Sequence, residues 1–483
     1  MKQTLIHAVI GLTILGAGLA AAQEPDLKKT VEQQNAQIQE LLKRVQQLEA
    51  GQADTSQIKK VVMETNQALA DANKKIEKTD SKLILGKNID GLRLTGDLRE
   101  RYEIRNRHIE EALDANKKPT DQDGDRQRFR SRFRLGGIWT NKTENWEIGA
   151  GLATGDDMGG RSTNNTWANT HNSPFDHWNI WLDYAYAKHK WMVNETTPLT
   201  LTVGQQLNPF VSTLLTWDGD LRPVGATLQC GDPMGKSYTG LFATAGAYEV
   251  YWFTDGKGAQ DYNTENRIDD NVFLAAVQAG YKYTGEDNQF LGMAGFMTMN
   301  DAWRNMASGD KMWEHSTLPN NAWPAEDTGY QYQIGELYGE YKTSLGGIDV
   351  KPWAHVAYNF GASGGKTEAK NLDATEAADY ESKDQRLGMM AGLDLKRGKW
   401  SLGYAYTYIQ ADAVFGPLRD SDLGETAGLR DTDIQGHLVR LGYQMTENCS
   451  LGATYYLLNR ISDVKTSEAD KAQMLQVDLS YKF

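Results

Sequence analysis

After its first 22 residues the chain has no apolar run approaching the roughly 20 residues that a membrane-spanning helix needs, so a helical membrane protein is excluded. Cysteine is nearly absent, with Cys230 and Cys449 the whole supply in 483 residues. That excludes a disulfide scaffold, and a thiolate metal site fails for want of further ligands at the right spacing. Histidine is sparse and scattered. His7 precedes the mature chain, His108, His171, His177 and His315 fall in expected loops, and His355 and His437 fall on opposite faces of expected strands. No Gly-x-Ser-x-Gly nucleophile elbow occurs. The chain is therefore read as no enzyme, without a cofactor, and a barrel hydrolase is a minor alternative.

Aromatic residues are plentiful, with 22 Tyr, 13 Trp and 12 Phe, which is more burial capacity than a disordered chain carries. The net charge of -13 and mean hydropathy of -0.59 suggest a large, acidic, soluble protein. Periodicity contradicts that average.

Residues 1–22 combine Lys2, an apolar core from Leu5 to Leu19 and the small triplet Ala20-Ala21-Ala22, the pattern of a secretory signal peptide with Gln23 starting the mature chain. Residues 23–84 read as a coiled coil. Leu27, Leu41, Leu48, Val62, Leu69, Ile76 and Leu83 share one heptad position. Val31, Ile38 and Val45 accompany them first, then Ile58, Thr65, Ala72 and Thr79, which places a stutter or stammer near Gly51. Unbroken, such a helix is about 85 Å long.

From Asp90 onward the period is two. Leu475, Val477, Leu479, Tyr481 and Phe483 alternate with Gln476, Asp478, Ser480 and Lys482, and the chain ends on the aromatic ring. Trp400 to Tyr408, Trp178 to Tyr186 and Ile348 to Tyr358 alternate likewise, and about sixteen such segments can be marked. Short turns such as 141–145, 285–288, 396–399 and 446–449 take turns with longer polar loops, as in a transmembrane barrel. A soluble β-protein of this length needs a continuous apolar core. Here only alternation is visible, which suffices for a sheet closed between lipid and water. The expected fold is an all-β transmembrane, antiparallel up-and-down barrel of about 16 strands at 85–483, preceded by the helical coiled coil. With both barrel ends inside the envelope, the coiled coil extends into the periplasm, and the two cysteines lie apart at the periplasmic rim.

The order of GLRLTGDLRERYE (91–103), RQRFRSRFRLG (126–136), NPF (208–210), WDGDLRPVGAT (217–227), DAVFGPLRDSDLG (412–424), GHLVRLGYQM (436–445) and LQVDLSYKF (475–483) resembles the putative porin family of Gram-negative outer membranes. The resemblance implies a sixteen-stranded, trimeric, water-filled channel for passive diffusion of small hydrophilic solutes and ions. Its implied partners are outer-membrane lipid, the permeating solutes and two further copies of the chain. Contact with the cell wall through the coiled coil would instead make the barrel a structural anchor, which is the principal alternative. The acidic balance argues against nucleic acid.

Parity places Arg128, Arg130, Arg132 and Arg134 on one face of the second strand, opposite Phe129, Phe133 and Leu135. In the first strand Arg93, Arg99 and Arg101 face inward, while Leu94, Leu98, Tyr102 and, unexpectedly, Glu100 face lipid. These seven arginines are the expected pore lining. Trp217, Asp218, Asp220 and Arg222 are candidates for a constriction loop that folds inward and sets acid against that wall. The remaining acid, including 121–125, 420–422 and 431–433, is expected in exposed long loops. Asp121, Asp123 and Asp125 resemble the start of a calcium loop, but Arg132 stands where its terminal Glu belongs, leaving only a weak surface metal candidate.

Overall fold

The computed structural model describes residues 91–113, 119–155, 162–167, 177–251, 272–300, 331–362, 385–424, 426–427, 429, 431–461 and 469–483, and before them only 39, 40, 43 and 63. Those four, Gln39, Glu40, Lys43 and Met63, are helical. The signal peptide and the heptad pattern as a whole lie outside the described residues.

Sixteen antiparallel strands make the wall. They are β1 (Leu92–Leu113), β2 (Pro119–Asn141), β3 (Trp146–Gly155), β4 (Asn179–Met192), β5 (Pro198–Gln205), β6 (Val224–Cys230), β7 (Gly240–Tyr251) and β8 (Val272–Thr284). The second half comprises β9 (Asn288–Met299), β10 (Gln333–Leu345), β11 (Ile348–Asn359), β12 (Leu387–Arg397), β13 (Trp400–Ile409), β14 (Ile434–Gln444), β15 (Cys449–Arg460) and β16 (Lys471–Lys482). A two-residue strand, Asn165–Thr166, extends the wall beside β2. Each strand pairs with the next, and β16 returns to β1 with Leu98 opposite Tyr481 and Arg101 opposite Asp478. Closure leaves no sheet edge, which is what a lipid environment requires of a β-structure.

Strand β8 shows how alternation becomes architecture. Ala275, Val277, Tyr281 and Tyr283 point outward, and Val272, Leu274, Gln278 and Lys282 point inward. Around the wall, exposed Leu98, Ile148, Leu201, Leu241, Leu337, Leu402 and Leu451 continue the outer apolar band. Near the short-turn rim, Trp139, Trp146, Trp191, Tyr283, Tyr341, Trp400 and Tyr481 form an exposed aromatic girdle. The amphipathic rings suit the interface between hydrocarbon and water. The turn between β10 and β11 is two glycines, Gly346 and Gly347, at φ 58° and 77°. Positive φ at both central residues is what a type I′ hairpin needs. At the seam Phe483 packs 6.4 Å from Phe133, and a Cβ on Gly96 would meet its ring at 2.5 Å. Glycine at 96 therefore makes room for the terminal aromatic residue.

Two expectations are corrected. Trp178 to Tyr186 do not share one face. A bulge where Leu152 meets Leu182 turns both Asp183 and Tyr184 inward, so Ile180 and Leu182 are outside while Tyr184 and Tyr186 are inside. The lumen also contains a continuous apolar core. Leu274, Ile334, Met390, Ile409, Ile434, Leu458 and Met474 line the wall, and Leu215, Trp217, Phe415 and Leu423 come from two inturned loops to cover them. Residues 206–223 and 410–433 are these loops, and both start from the long-loop end of the barrel.

Candidate solute pathway

The inner face of β1 and β2 carries the charge. All seven predicted arginines stand at inward positions, and Arg105, Arg107 and Arg126, which the sequence reading passed over, extend the series toward the long-loop end. Guanidinium groups stay charged and present a planar fork of donors. Stacking so many on adjacent strands requires opposing charge.

Part of that charge comes from the same strands. Asp97 accepts from Arg132 at 2.8 Å and Arg134 at 2.7 Å. Glu103, fully buried, accepts from Arg128 at 2.6 Å and Arg126 at 3.0 Å, with Arg130 at 3.8 Å and Gln476 at 3.3 Å beside its second oxygen. Asp478 of β16 takes Arg101 in a two-pronged pair at 2.7 and 2.9 Å. These acids share inward parity with the arginines, so the signal was present in the sequence.

The rest arrives from the loops. Asp220 lies 3.8 Å from both Arg132 and Arg134 and accepts from Thr163 Oγ1 at 3.0 Å. Burial alone would raise its pKa, but Arg132, Arg99 and Arg134 draw it below the usual carboxylate range. Asp422 from the second loop reaches Arg101 at 3.1 Å. The acid at 420–422 and 431–433 is thus not at an exposed mouth. Asp431 and Asp433 are buried, and Asp420 caps the short turn Ser421–Leu423 by accepting from Asp422 N at 3.0 Å.

The four constriction candidates part company. Asp220 alone reaches the arginine wall. Trp217 is buried 6.1 Å from Phe210 in the apolar core. Asp218 joins the loops, with its N–H donating to Leu418 O at 2.7 Å and its carboxylate accepting from Ser421 N at 3.3 Å. Arg222 turns back to Asp183, 3.0 Å away. Among the metal candidates Asp125 is exposed, and the side chains of Asp121 and Asp123 lie outside the described residues.

On the opposite wall a buried network fastens the first loop. Gln278 exchanges two hydrogen bonds with the Val211 backbone, 2.9 and 3.0 Å, and donates to Glu336. Glu336 meets His355 Nε2, and His355 Nδ1 meets Thr213 Oγ1 at 2.8 Å. Hydroxyl, imidazole and carboxylate follow in the order of a nucleophilic triad. Here the Thr213 hydroxyl also accepts from Leu215 N at 3.2 Å, and the group binds loop to wall.

The outer face is mostly apolar, with Glu249 on β7 and His437 on β14 among its exposed polar residues, and it carries a further carboxylate beside β1 and β2. Glu100 stands there as parity requires and accepts a short hydrogen bond from Ser131, whose hydroxyl also receives Trp167 Nε1 at 2.6 Å. Cys230 and Cys449 are both unpaired, at the short-turn ends of β6 and β15.

A sequence-family profile described as "Putative porin" matches residues 54–299. No curated protein sequence matches the chain. Among solved structures, OprB of Pseudomonas putida at high pH shares 10% identity, with 81% of this chain and 94% of that chain covered and a TM-score of 0.47. The outer-membrane channel DcaP of Acinetobacter baumannii shares 12% identity over 83% of this chain and 100% of its own, with a TM-score of 0.41. OmpF of Salmonella typhi, solved with daunomycin, shares 12% identity over 83% and 100%, with a TM-score of 0.45.

Proposed function

The chain belongs to the putative porin family, and from that premise we propose that small hydrophilic solutes and ions cross the outer membrane by passive diffusion through its barrel, past the β1–β2 arginine wall and the inturned loops bound to it. The observation that carries this reading is the charged inner face of a closed barrel whose outer face is an apolar band with an aromatic girdle. Water and permeating ions solvate such a wall, and lipid covers such an exterior. No chemical step is involved. Solutes are sorted by size and by the field that the arginine wall and the loop acids paired to it, Asp220 and Asp422, present to the lumen. The test is planar-bilayer conductance of the purified chain. Ohmic channels are expected, and a correctly folded but silent barrel would overturn the reading.

Residues 1–22 are proposed as the secretory signal, 23–84 as a periplasmic coiled coil and 85–483 as the barrel domain. The assembly is proposed to be a homotrimer, supported by the heptad pattern and by Glu100 on the outer face between Leu98 and Tyr102, where a carboxylate against lipid is costly. The coiled coil, directed into the periplasm, either trimerises the protein or meets the cell wall. Deleting 27–84 separates these roles. Loss of the trimer indicates assembly, and weakened envelope with intact conductance indicates a tether.

A further inference from the structure

The arginine wall is not uniformly neutralised. Toward the short-turn end, Arg132 and Arg134 have Asp97 and Asp220, and Arg101 has Asp478 and Asp422. Toward the long-loop end the described residues supply fewer carboxylates. Arg105 and Arg107 form no ion pair among the described residues, and Arg126 shares the single carboxylate of Glu103 with its neighbours on β2.

The three side chains are nevertheless held in place. Arg105 Nη1 and Arg126 Nη2 converge on one oxygen, the Thr426 carbonyl of the second inturned loop, at 3.3 and 3.1 Å. Arg107 lies flat against Gly124, where any Cβ would collide with its Nε. The Nε–H donors of all three are buried and make no hydrogen bond. Further along the wall Arg99 and Arg130 are held instead by residues 162–164, and Arg130 is only 6% exposed.

The guanidinium groups of Arg105, Arg107 and Arg126, each part-exposed on the inner face of the barrel, suit a ligand with several oxygens and several negative charges. The Thr426 carbonyl shows that two of the forks can reach one oxygen together. Carboxylate and phosphate groups present such oxygens with full charge, in the geometry that guanidinium forks match.

We infer that β1 and β2 form a binding track for small solutes bearing two or more carboxylate or phosphate groups, loaded at Arg105, Arg107 and Arg126. This deepens the channel reading and rests on it. Asp220 and Asp422 neutralise the far end of the track, so an anion held at the long-loop end is held less firmly beyond the loops. Conduction needs that gradient, because a site that binds must also release.

The test uses the full-length protein in a planar bilayer under a KCl gradient, with citrate or inorganic pyrophosphate added on the long-loop side. The wild type is expected to prefer anions, and both probes are expected to interrupt its current in proportion to concentration. In R105Q/R107Q the apparent affinity for the probes should fall by roughly tenfold or more, the loss expected with charge-assisted hydrogen bonds. R105K/R107K, which keeps the charge without the fork, should retain the ion preference and lose part of the affinity. Heat-modifiable migration verifies folding of each variant. A cation-preferring wild type, or equal block in wild type and R105Q/R107Q, overturns the track while leaving the channel intact. A folded barrel without conductance overturns the channel reading itself.

Discussion

His355 Nε2 lies 3.1 Å from Glu336 Oε2 at a point where neither side chain meets solvent, directly behind the loop that narrows the lumen. The imidazole joins that carboxylate to Thr213 on the loop, and Gln278 joins it to the Val211 backbone. A segment rich in polar backbone can cross the lumen only if its groups find partners there. This network supplies them on one side, while the apolar contacts of Leu215, Trp217 and Phe210 fix the other.

Replacing Glu336 by Gln keeps the shape and removes the charge, leaving His355 and Gln278 to compete for one carbonyl acceptor. The expected cost is about 1–3 kcal/mol of barrel stability, the range for a buried hydrogen-bonding group deprived of its partner. Single-channel current should become larger and noisier as the loop loosens. Denaturant titration in micelles and bilayer recording check the two effects, and unchanged values in both would show that the network does not hold the loop.

Glu103 sets the charge of the upper wall. Removing it as Glu103→Gln leaves Arg126, Arg128 and Arg130 without their shared carboxylate. Breaking a buried ion pair from one side costs about 3–5 kcal/mol. The variant should be less stable than wild type and more anion-preferring, since a negative charge has left the lumen. A reversal potential shifted toward cations would contradict this electrostatic account.

Acidity should reach Asp420 before Asp220. The Asp420 carboxyl is held well above the ordinary 3.8 by burial, then by Asp218 and Asp422, with Asp220 adding to them and Arg419 opposing. Tyr456 and Arg101 face the same cluster from the wall. A raised folded pKa means that the protonated form is favoured on folding. That contribution is complete below the unfolded value near 3.8 and is lost as pH rises through the folded value. Asp220 has the opposite sign, with stability present above 3.8 and lost only as pH falls through its lowered folded value. As pH falls through the raised folded value toward 3.8, the lumen should therefore lose the Asp420 charge and keep that of Asp220. Anion preference should rise over this window in wild type and stay flat in Asp420→Asn. The same titration in both proteins would remove Asp420 as its cause.

Much of this arrangement is legible in the sequence, because a strand in a closed sheet obeys parity wherever it stands. The seven arginines, the outward Glu100, the inward His355 and the terminal aromatic residue follow from a period of two. Asp97 and Glu103 could have been read by the same rule. What parity does not carry is the third dimension of a loop. The triplet at 420–422 resembles any solvated acidic turn until Phe415, five residues before it, and Leu423, directly after it, are seen to anchor it in an apolar lumen. The bulge at Asp183 is hidden for a related reason, since one inserted residue inverts the faces that follow and leaves the composition unchanged.

Glu100 provides the test of assembly. It sits on the outer face between Leu98 and Tyr102, bonded to Ser131, while Trp167 stacks 5.2 Å from Phe129 alongside. In a lone barrel this carboxylate would meet hydrocarbon, and Glu100→Leu would then stabilise the protein. In the proposed trimer it is covered by another copy, and replacing it removes a polar contact from the interface. The expected outcome is a trimer that dissociates at lower temperature on unheated gels, with monomer stability unchanged or higher. An unaltered trimer with a more stable monomer would place Glu100 against lipid, and the subunit contact would have to lie elsewhere on the barrel.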